Sequence, residues 1–250
     1  MSSGGQLVCV GLGMTLGAHI TPAAKYQVES ADIVFVAASS KLVEQWVESL
    51  NTHVISLQKF YKAGKPRQET YREMTEALLE GVRAGMKVCG AFYGHPCVFA
   101  LSPRKAIEIA KREGFKAYME PGISAEACLY ADLCLDPGET GCQHFETSQF
   151  MKYERKVDTS ALLILWQIGL AGDFRSEAFS TNKKNIEMLV KILSRYYPLS
   201  HEVIIYEARL LKISSIREEK VKLLDLAEAC FTMNSTLVIP PCKRLIDSNH

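Results

Sequence analysis

Arg67 and Tyr71 stand four residues apart, which sets a guanidinium and a phenol on one face of what reads as an amphipathic helix. Tyr71, Met74, Leu78 and Val82 repeat at helical spacing, so that face turns inward. A cation close to a phenol favours the ionised oxygen and lowers the acid from its ordinary pKa of about 10. Such a pair could hold a base for a weakly acidic N–H or O–H. The bland alternative is an arginine stem lying along a buried ring with its head in water. Pro66 suits the first helical position, where its missing N–H costs nothing, and Gly85 suits a left-handed cap, which predicts a helix over 66–84.

Three glycine-bearing turns follow apolar, strand-like runs. Gly11 and Gly13 stand directly after Leu7–Val10. Glycine allows close backbone approach, and such a turn can offer N–H groups to a ligand. The spacing to Gly17 is one residue long for a dinucleotide fingerprint, and Ala37–Ser40 offers no acid for a ribose. Gly94 and Pro96 force an irregular turn after 87–91, and His95 reads chiefly as part of that turn. Ser124 reads as an N-cap with Ala125 opening the next helix, just after Pro121 and Gly122. Any one of these is equally a plain turn. Together, at the carboxyl ends of strands, they predict a joint site of the kind open α/β sheets use. Gln167 ends the apolar run Leu162–Trp166, where an amide could read an adenine or a carboxylate, or simply be a polar strand end. Trp166 reads as core.

These residues need a scaffold. Strand-like runs at 7–10, 32–36, 53–57, 87–91 and 116–119 alternate with helical patterns at 22–30, 41–49, 66–84 and 102–113, which argues an α/β fold with a doubly wound parallel sheet. Beyond Gly122 the spacing loosens: a helix over 124–133, strands over 143–147, 161–166, 201–206 and 236–240, and a helix over 182–196 predict a second, mixed α/β domain. The division expected is 1–120 and 121–250, with Met119–Gly122 as the linker.

Composition narrows the function. Of 250 residues, 48% are hydrophobic and 23% charged, so the chain can bury a sizeable core. With 29 Lys and Arg against 28 Asp and Glu, net charge is +1, which offers no field for a phosphate backbone and excludes nucleic acid as the first partner. The longest apolar run, Ala161–Trp166, falls far short of the ~20 residues of a membrane helix. No basic region followed by an apolar one opens the chain, so no signal peptide is visible and a cytoplasmic location is expected. The eight cysteines form no CxxC pair, and the six histidines do not fall at metal-ligand spacing. The cysteines are expected to be reduced, buried, small hydrophobes, and no metal is expected.

Gly11 with Gly13, Tyr93–Pro96 and Pro121–Ser124, at these separations, resemble the tetrapyrrole methylase family of two-domain S-adenosylmethionine (SAM) methyltransferases. The resemblance covers nearly the whole chain, yet Gly13–Leu16 and Gly94–Pro96 depart from the usual GPGD and Gly-Asp-Pro. Phe60 and Tyr61, Gly64 and Lys65, Arg67, Thr70 and Tyr71, Phe92–Pro96, Pro121–Glu126, Leu129–Cys134, Asp136 with Pro137, and Ile239–Pro241 together resemble one branch, the borosin peptide α-N-methyltransferases, which methylate backbone amides of a ribosomally made precursor.

The resemblance implies a Tyr–Arg–Tyr catalytic set falling on Tyr61, Arg67 and Tyr71. Tyr71 would accept the amide proton, Arg67 would favour its ionised form, and Tyr61 would orient the amide; the two tyrosines could exchange roles. It implies SAM between the domains, lined by Gly11, Gly13, Tyr93, Pro96, Val98, Phe99, Ser124, Ala125, Gln167, Tyr206, Ala208, Ser235 and Thr236, with S-adenosylhomocysteine as product. The sulfonium is already activated, so methyl transfer is an in-line displacement that needs no metal. Fungal members fuse the core peptide to their own C-terminus. Here Lys243–His250 follows Ile239–Pro241 with no tail of Val, Ile, Ala and Gly, so a separate precursor methylated in trans is expected, with the enzyme a homodimer or a heterotetramer with its precursor. The alternatives are a precorrin or porphyrin C-methyltransferase and a non-catalytic SAM-binding protein.

Overall fold

The computed structural model describes residues 4–62, 64–174 and 180–247. The elements run β1 (Gln6–Gly11), α1 (Pro22–Glu29), β2 (Ile33–Ala37), α2 (Lys41–Glu48), β3 (Val54–Ser56), α3 (Arg67–Arg83), β4 (Lys87–Phe92), α4 (Leu101–Arg112), β5 (Lys116–Glu120), α5 (Ala125–Leu133), α6 (Pro137–Thr140), β6 (Cys142–Glu146), α7 (Thr147–Lys152), β7 (Leu162–Trp166), α8 (Lys183–Leu193), β8 (Glu202–Glu207), β9 (Arg217–Lys222) and β10 (Thr236–Ile239). Short 3-10 turns lie at Leu57–Phe60, Ile168–Leu170 and Leu223–Glu228. Among the described residues no helix is long and apolar enough to cross a membrane.

The chain forms two compact units. The first comprises Met1–Cys128 with Arg209–Ser214, and the second Leu129–Ala208 with Ser215–His250. In the first, five strands pair in the order β3-β2-β4-β1-β5, all parallel. Alternate side chains serve opposite faces, as the pleat requires. Leu7 and Cys9 of β1 meet Met74, Leu78 and Val82 of α3 and Ala106 of α4, while Val8 and Val10 meet Val28 of α1 and Val43 and Val47 of α2. This is the doubly wound parallel sheet that alternating strands and helices predict. Residues 119–122, read from sequence as a linker, are the end of β5 and the loop after it, and lie within this unit.

The stripe Tyr71, Met74, Leu78 and Val82 does turn inward on α3. The helix starts at Arg67, one residue later than the sequence suggests: Pro66, with φ −58° and an extended ψ of 134°, is the flanking residue instead. Gly85, at φ +85°, closes the other end. Its N–H bonds the Val82 carbonyl, and Met86 N–H bonds that of Gly81, so two orphan carbonyls of the last turn are satisfied.

The second unit holds a mixed sheet in the order β6-β7-β10-β8-β9, with β6 and β7 parallel and the remaining pairs antiparallel. Its core gathers Leu163 and Leu165 of β7, Val203 and Ile205 of β8, Ile186, Leu189 and Leu193 of α8, and Leu223 and Leu226. Strand β9 is missing from the sequence reading. Its text, Arg217–Lys222, carries charges on both faces, and only Val221 signals a buried side. An edge strand with charge on it blocks pairing with other chains, at the cost of the apolar alternation that marks a strand. The cysteines also depart from expectation. All eight are free thiols, but only Cys9, Cys89 and Cys128 are buried. Cys97 lies in the loop after β4, Cys134 follows α5 with φ +53°, and Cys230 follows a 3-10 turn, so all three are exposed on connections where no core forms.

Candidate functional site

In the first unit the three glycine turns meet. Gly13 and Gly94 form a two-bond bridge: Gly13 N–H donates to the Gly94 carbonyl at 3.1 Å, and Gly94 N–H to the Gly13 carbonyl at 2.9 Å. A Cβ on Gly11 would sit 2.5 Å from the Gly122 Cα and 2.5 Å from the Gly94 carbonyl oxygen. These are backbone atoms, so no side-chain rotation could make room. Glycine is required here because loops from β1, β4 and β5 touch main chain to main chain. Ser124 caps α5 as expected, its Oγ accepting from Ala127 N–H at 3.2 Å. His95 Nδ1 accepts the Cys97 N–H at 3.0 Å, which makes it a turn residue.

Beside these loops lies an apolar rim. Tyr93, Val98 and Phe99 are 44%, 37% and 53% exposed, and Phe99 holds a left-handed backbone at φ +51° that costs a bulky residue strain. Pro96, in the same loop, is buried.

The phenols gather on the α3 side of the same unit. Tyr61 follows the 3-10 turn at Leu57–Phe60, Arg67 and Tyr71 open α3, and Tyr93 follows β4. Tyr61 is half-buried and hydrogen-bonded to Tyr71. Burial first, then the neighbouring phenols Tyr71 and Tyr93, then that hydrogen bond push the Tyr61 hydroxyl well above its ordinary range, and Arg67 opposes them. Tyr93 is partly exposed as a residue, yet burial of its hydroxyl, with Tyr71 adding and Arg67 opposing, also raises it. The structure therefore brings Tyr61, Arg67 and Tyr71 together and adds Tyr93, which the sequence reading places only among the cofactor contacts. A gap of 22 residues and a change of strand hide that proximity.

In the second unit all five expected ligand contacts fall at one end of the sheet. Tyr206 of β8 pairs with Thr236 of β10, and Ile168 N–H, just after β7 and Gln167, donates to the Ser235 carbonyl at 3.0 Å. Ala208 follows β8. Gln167 has φ +58° and ψ 44°, a left-handed turn on a non-glycine residue. Tyr206 is buried, and its hydroxyl donates to Asp132 Oδ2 at 2.7 Å. Ser235 Oγ donates to Glu207 Oε1 at 2.6 Å, and Arg217 Nη1 donates to the same oxygen at 3.0 Å. Sequence reasoning missed this Arg217–Glu207–Ser235 chain because its members are far apart in the text. Trp166 is core, 5% exposed, with Nε1–H donating to His144 Nδ1 at 3.3 Å.

The first unit thus gathers strand-end loops with main-chain N–H groups, an exposed apolar rim, and three phenols near Arg67. Residues 6–229 match the model of the tetrapyrrole (corrin/porphyrin) methylases, and the chain belongs to that family. It is similar to a methyltransferase/ribosomally synthesized cyclic peptide lentinulin A precursor of Lentinula edodes, 38% identical over 98% of this chain and 60% of that protein. It is likewise similar to the omphalotin A precursor methyltransferase of Omphalotus olearius, 36% identical over 96% of this chain and 58% of that protein. The chain thus spans about three fifths of the length of these curated relatives. A uroporphyrin-III-C-methyltransferase from Thermus thermophilus has the same fold, with a TM-score of 0.67 at 19% identity over 95% of this chain and 92% of that one.

Proposed function

We propose that the chain is a SAM-dependent methyltransferase that N-methylates backbone amides of a ribosomally made peptide, as in borosin biosynthesis. The observation that carries the reading is the grouping of Tyr61, Arg67 and Tyr71 beside the strand-end loops of the first unit, in a chain similar along nearly its full length to methyltransferases whose names join them to cyclic peptide precursors.

SAM would supply an electrophilic methyl group. Gly11, Gly13, Tyr93, Pro96, Val98, Phe99, Ser124 and Ala125 of the first unit, and Gln167, Tyr206, Ala208, Ser235 and Thr236 of the second, are the residues we assign to holding it. The chain's own chemistry concerns the acceptor nitrogen. An amide lone pair is delocalised into the carbonyl, the resonance behind the ~18–20 kcal/mol rotation barrier, so the N–H proton must leave for the nitrogen to attack. Tyr71 is the proposed acceptor of that proton. Tyr61, whose proton burial retains, is hydrogen-bonded to Tyr71, and Arg67 stands by as the neighbouring cation. Tyr61 also orients the amide. As charge shifts to the amide oxygen, a donor aimed at it stabilises the imidate character in the manner of an oxyanion hole. Orientation of two bound reactants supplies much of the rest.

The test mixes the chain with SAM and a candidate precursor peptide supplied as a separate polypeptide, and follows +14 Da steps by mass spectrometry with fragmentation to locate the methyl groups. Methyl groups on peptide nitrogens are expected. Methylation of a porphyrin or corrin alone would replace the reading by C-methylation, and tight SAM binding without any product by a sensor. A homodimer is the proposed assembly, and light scattering at working concentration that gives a monomer would overturn it.

A further inference from the structure

Gly64 and Lys65 contribute to the resemblance, yet the reaction as proposed uses neither. Lys65 lies in the loop between the 3-10 turn and α3, with its side chain only 12% exposed. An ammonium so far from water needs partners. It forms a short ion pair with Glu73 of α3 and donates to the Phe60 carbonyl at 3.2 Å. Thr70 Oγ1, one turn into α3, reaches the same carbonyl at 3.5 Å. That carbonyl carbon is bonded directly to the nitrogen of Tyr61, so its peptide plane sets where the Tyr61 ring begins. A second hold on the Tyr61 backbone is local: its N–H donates to the Gln58 carbonyl at 3.0 Å. Lys65 thus ties the Tyr61 peptide to the helix carrying Arg67 and Tyr71 through a charged side chain.

We propose that the Lys65–Glu73 ion pair is a clamp that positions Tyr61 against Tyr71. The clamp deepens the assignment of Tyr61, Arg67 and Tyr71 to methyl transfer and rests on it for its effect on rate. Lys65 is a positioning residue: it touches the backbone before Tyr61, and it acts through that tyrosine. A hydrogen bond between two phenols tolerates little displacement, and a misplacement of ~1 Å in a catalytic group can cost about a hundredfold in rate.

The test uses Lys65→Met, which keeps the stem and deletes the ammonium, together with Glu73→Gln, Lys65→Arg, Tyr61→Phe and the Lys65→Met/Tyr61→Phe double variant. Hydrogen exchange should show the Tyr61 amide about tenfold less protected in Lys65→Met and Glu73→Gln, with amides 74–82 of α3 unchanged and Lys65→Arg close to wild type. In peptide methylation, Lys65→Met should lower kcat about tenfold with KM for SAM within about twofold. In the Tyr61→Phe background the same change should cost less than about twofold, because the residue it acts through has already lost its hydroxyl. Unchanged Tyr61 exchange, loss of protection spread evenly through α3, or a full further tenfold loss on top of Tyr61→Phe would each overturn the clamp. Wild type that methylates no peptide, with the exchange pattern as expected, overturns the functional reading and supports the clamp as a structural fact.

Discussion

Gly122→Ala probes the junction on which the first unit's loops depend. The new Cβ would lie 2.6 Å from the Gly11 Cα and closer still to the Gly94 carbonyl oxygen. Carbon contacts settle near ~3.5 Å, so the loops must part by roughly an ångström. They resist, because Gly94 is bridged to Gly13 by two main-chain hydrogen bonds. The φ of Gly122 is outside the left-handed region, so the penalty is steric alone. Overpacking of this kind costs about 1–3 kcal/mol, which for a chain of this length lowers Tm by roughly 2–10 °C. Two controls separate crowding from backbone strain. Gly94→Ala meets the flexible Met14 Sδ at 3.3 Å and the Ser124 Cα at an ordinary 3.9 Å, but must hold φ +65°, and Gly85→Ala meets nothing within 4 Å at φ +85°; each should cost about 1 kcal/mol. Scanning calorimetry and SAM titration on the three variants give the answer. Gly122→Ala should lose at least about tenfold in SAM affinity, whereas Gly85→Ala should lose none. If Gly122→Ala melts within about 1 °C of wild type and binds SAM as well, the three loops do not pack as described, and the argument for a shared site in this unit fails.

Tyr71→Phe should lose about a hundredfold or more in methylation while SAM affinity stays within about threefold, read by mass spectrometry and calorimetry; retained turnover would remove Tyr71 as the proton acceptor. Tyr197 is buried, and its hydroxyl has no hydrogen-bond partner among the described residues, so Tyr197→Phe should stabilise the second unit by about 1 kcal/mol in urea titration. Burial also holds the Tyr197 hydroxyl above the phenol range, as it does that of Tyr61. The folded chain therefore keeps these protons where the unfolded chain has lost them: stability is full below pH ~10 and falls above it, and Tyr197→Phe should flatten that alkaline limb. Arg217→Met strips the cation from Glu207 and Glu219 and should lower thermal stability by about 1 kcal/mol, an effect that salt diminishes.

What the sequence makes legible follows from the range of each interaction. The parallel sheet of the first unit is written in local alternation, and so are the left-handed stop at Gly85, the cap at Ser124 and the inward stripe of α3, since each depends on residues within a few positions of one another. Strand β9 escapes because charge on both faces removes the period-two signal, and the Arg217–Glu207–Ser235 chain escapes because tertiary pairing alone assembles it. The two tyrosines are the clearest instance. By residue type and spacing Tyr61 and Tyr71 are interchangeable, and either phenol could lose its proton beside Arg67. Folding breaks the symmetry. The peptide before Tyr61 is drawn to α3 by Lys65 and Thr70, the side chain is half-buried, and burial holds its hydroxyl well above the ordinary phenol range. A phenol that burial keeps protonated is the poorer base, so Tyr61 is the one proposed to orient the amide. The proposed division of labour between two identical side chains thus rests on the burial of the Tyr61 hydroxyl, which no linear pattern encodes.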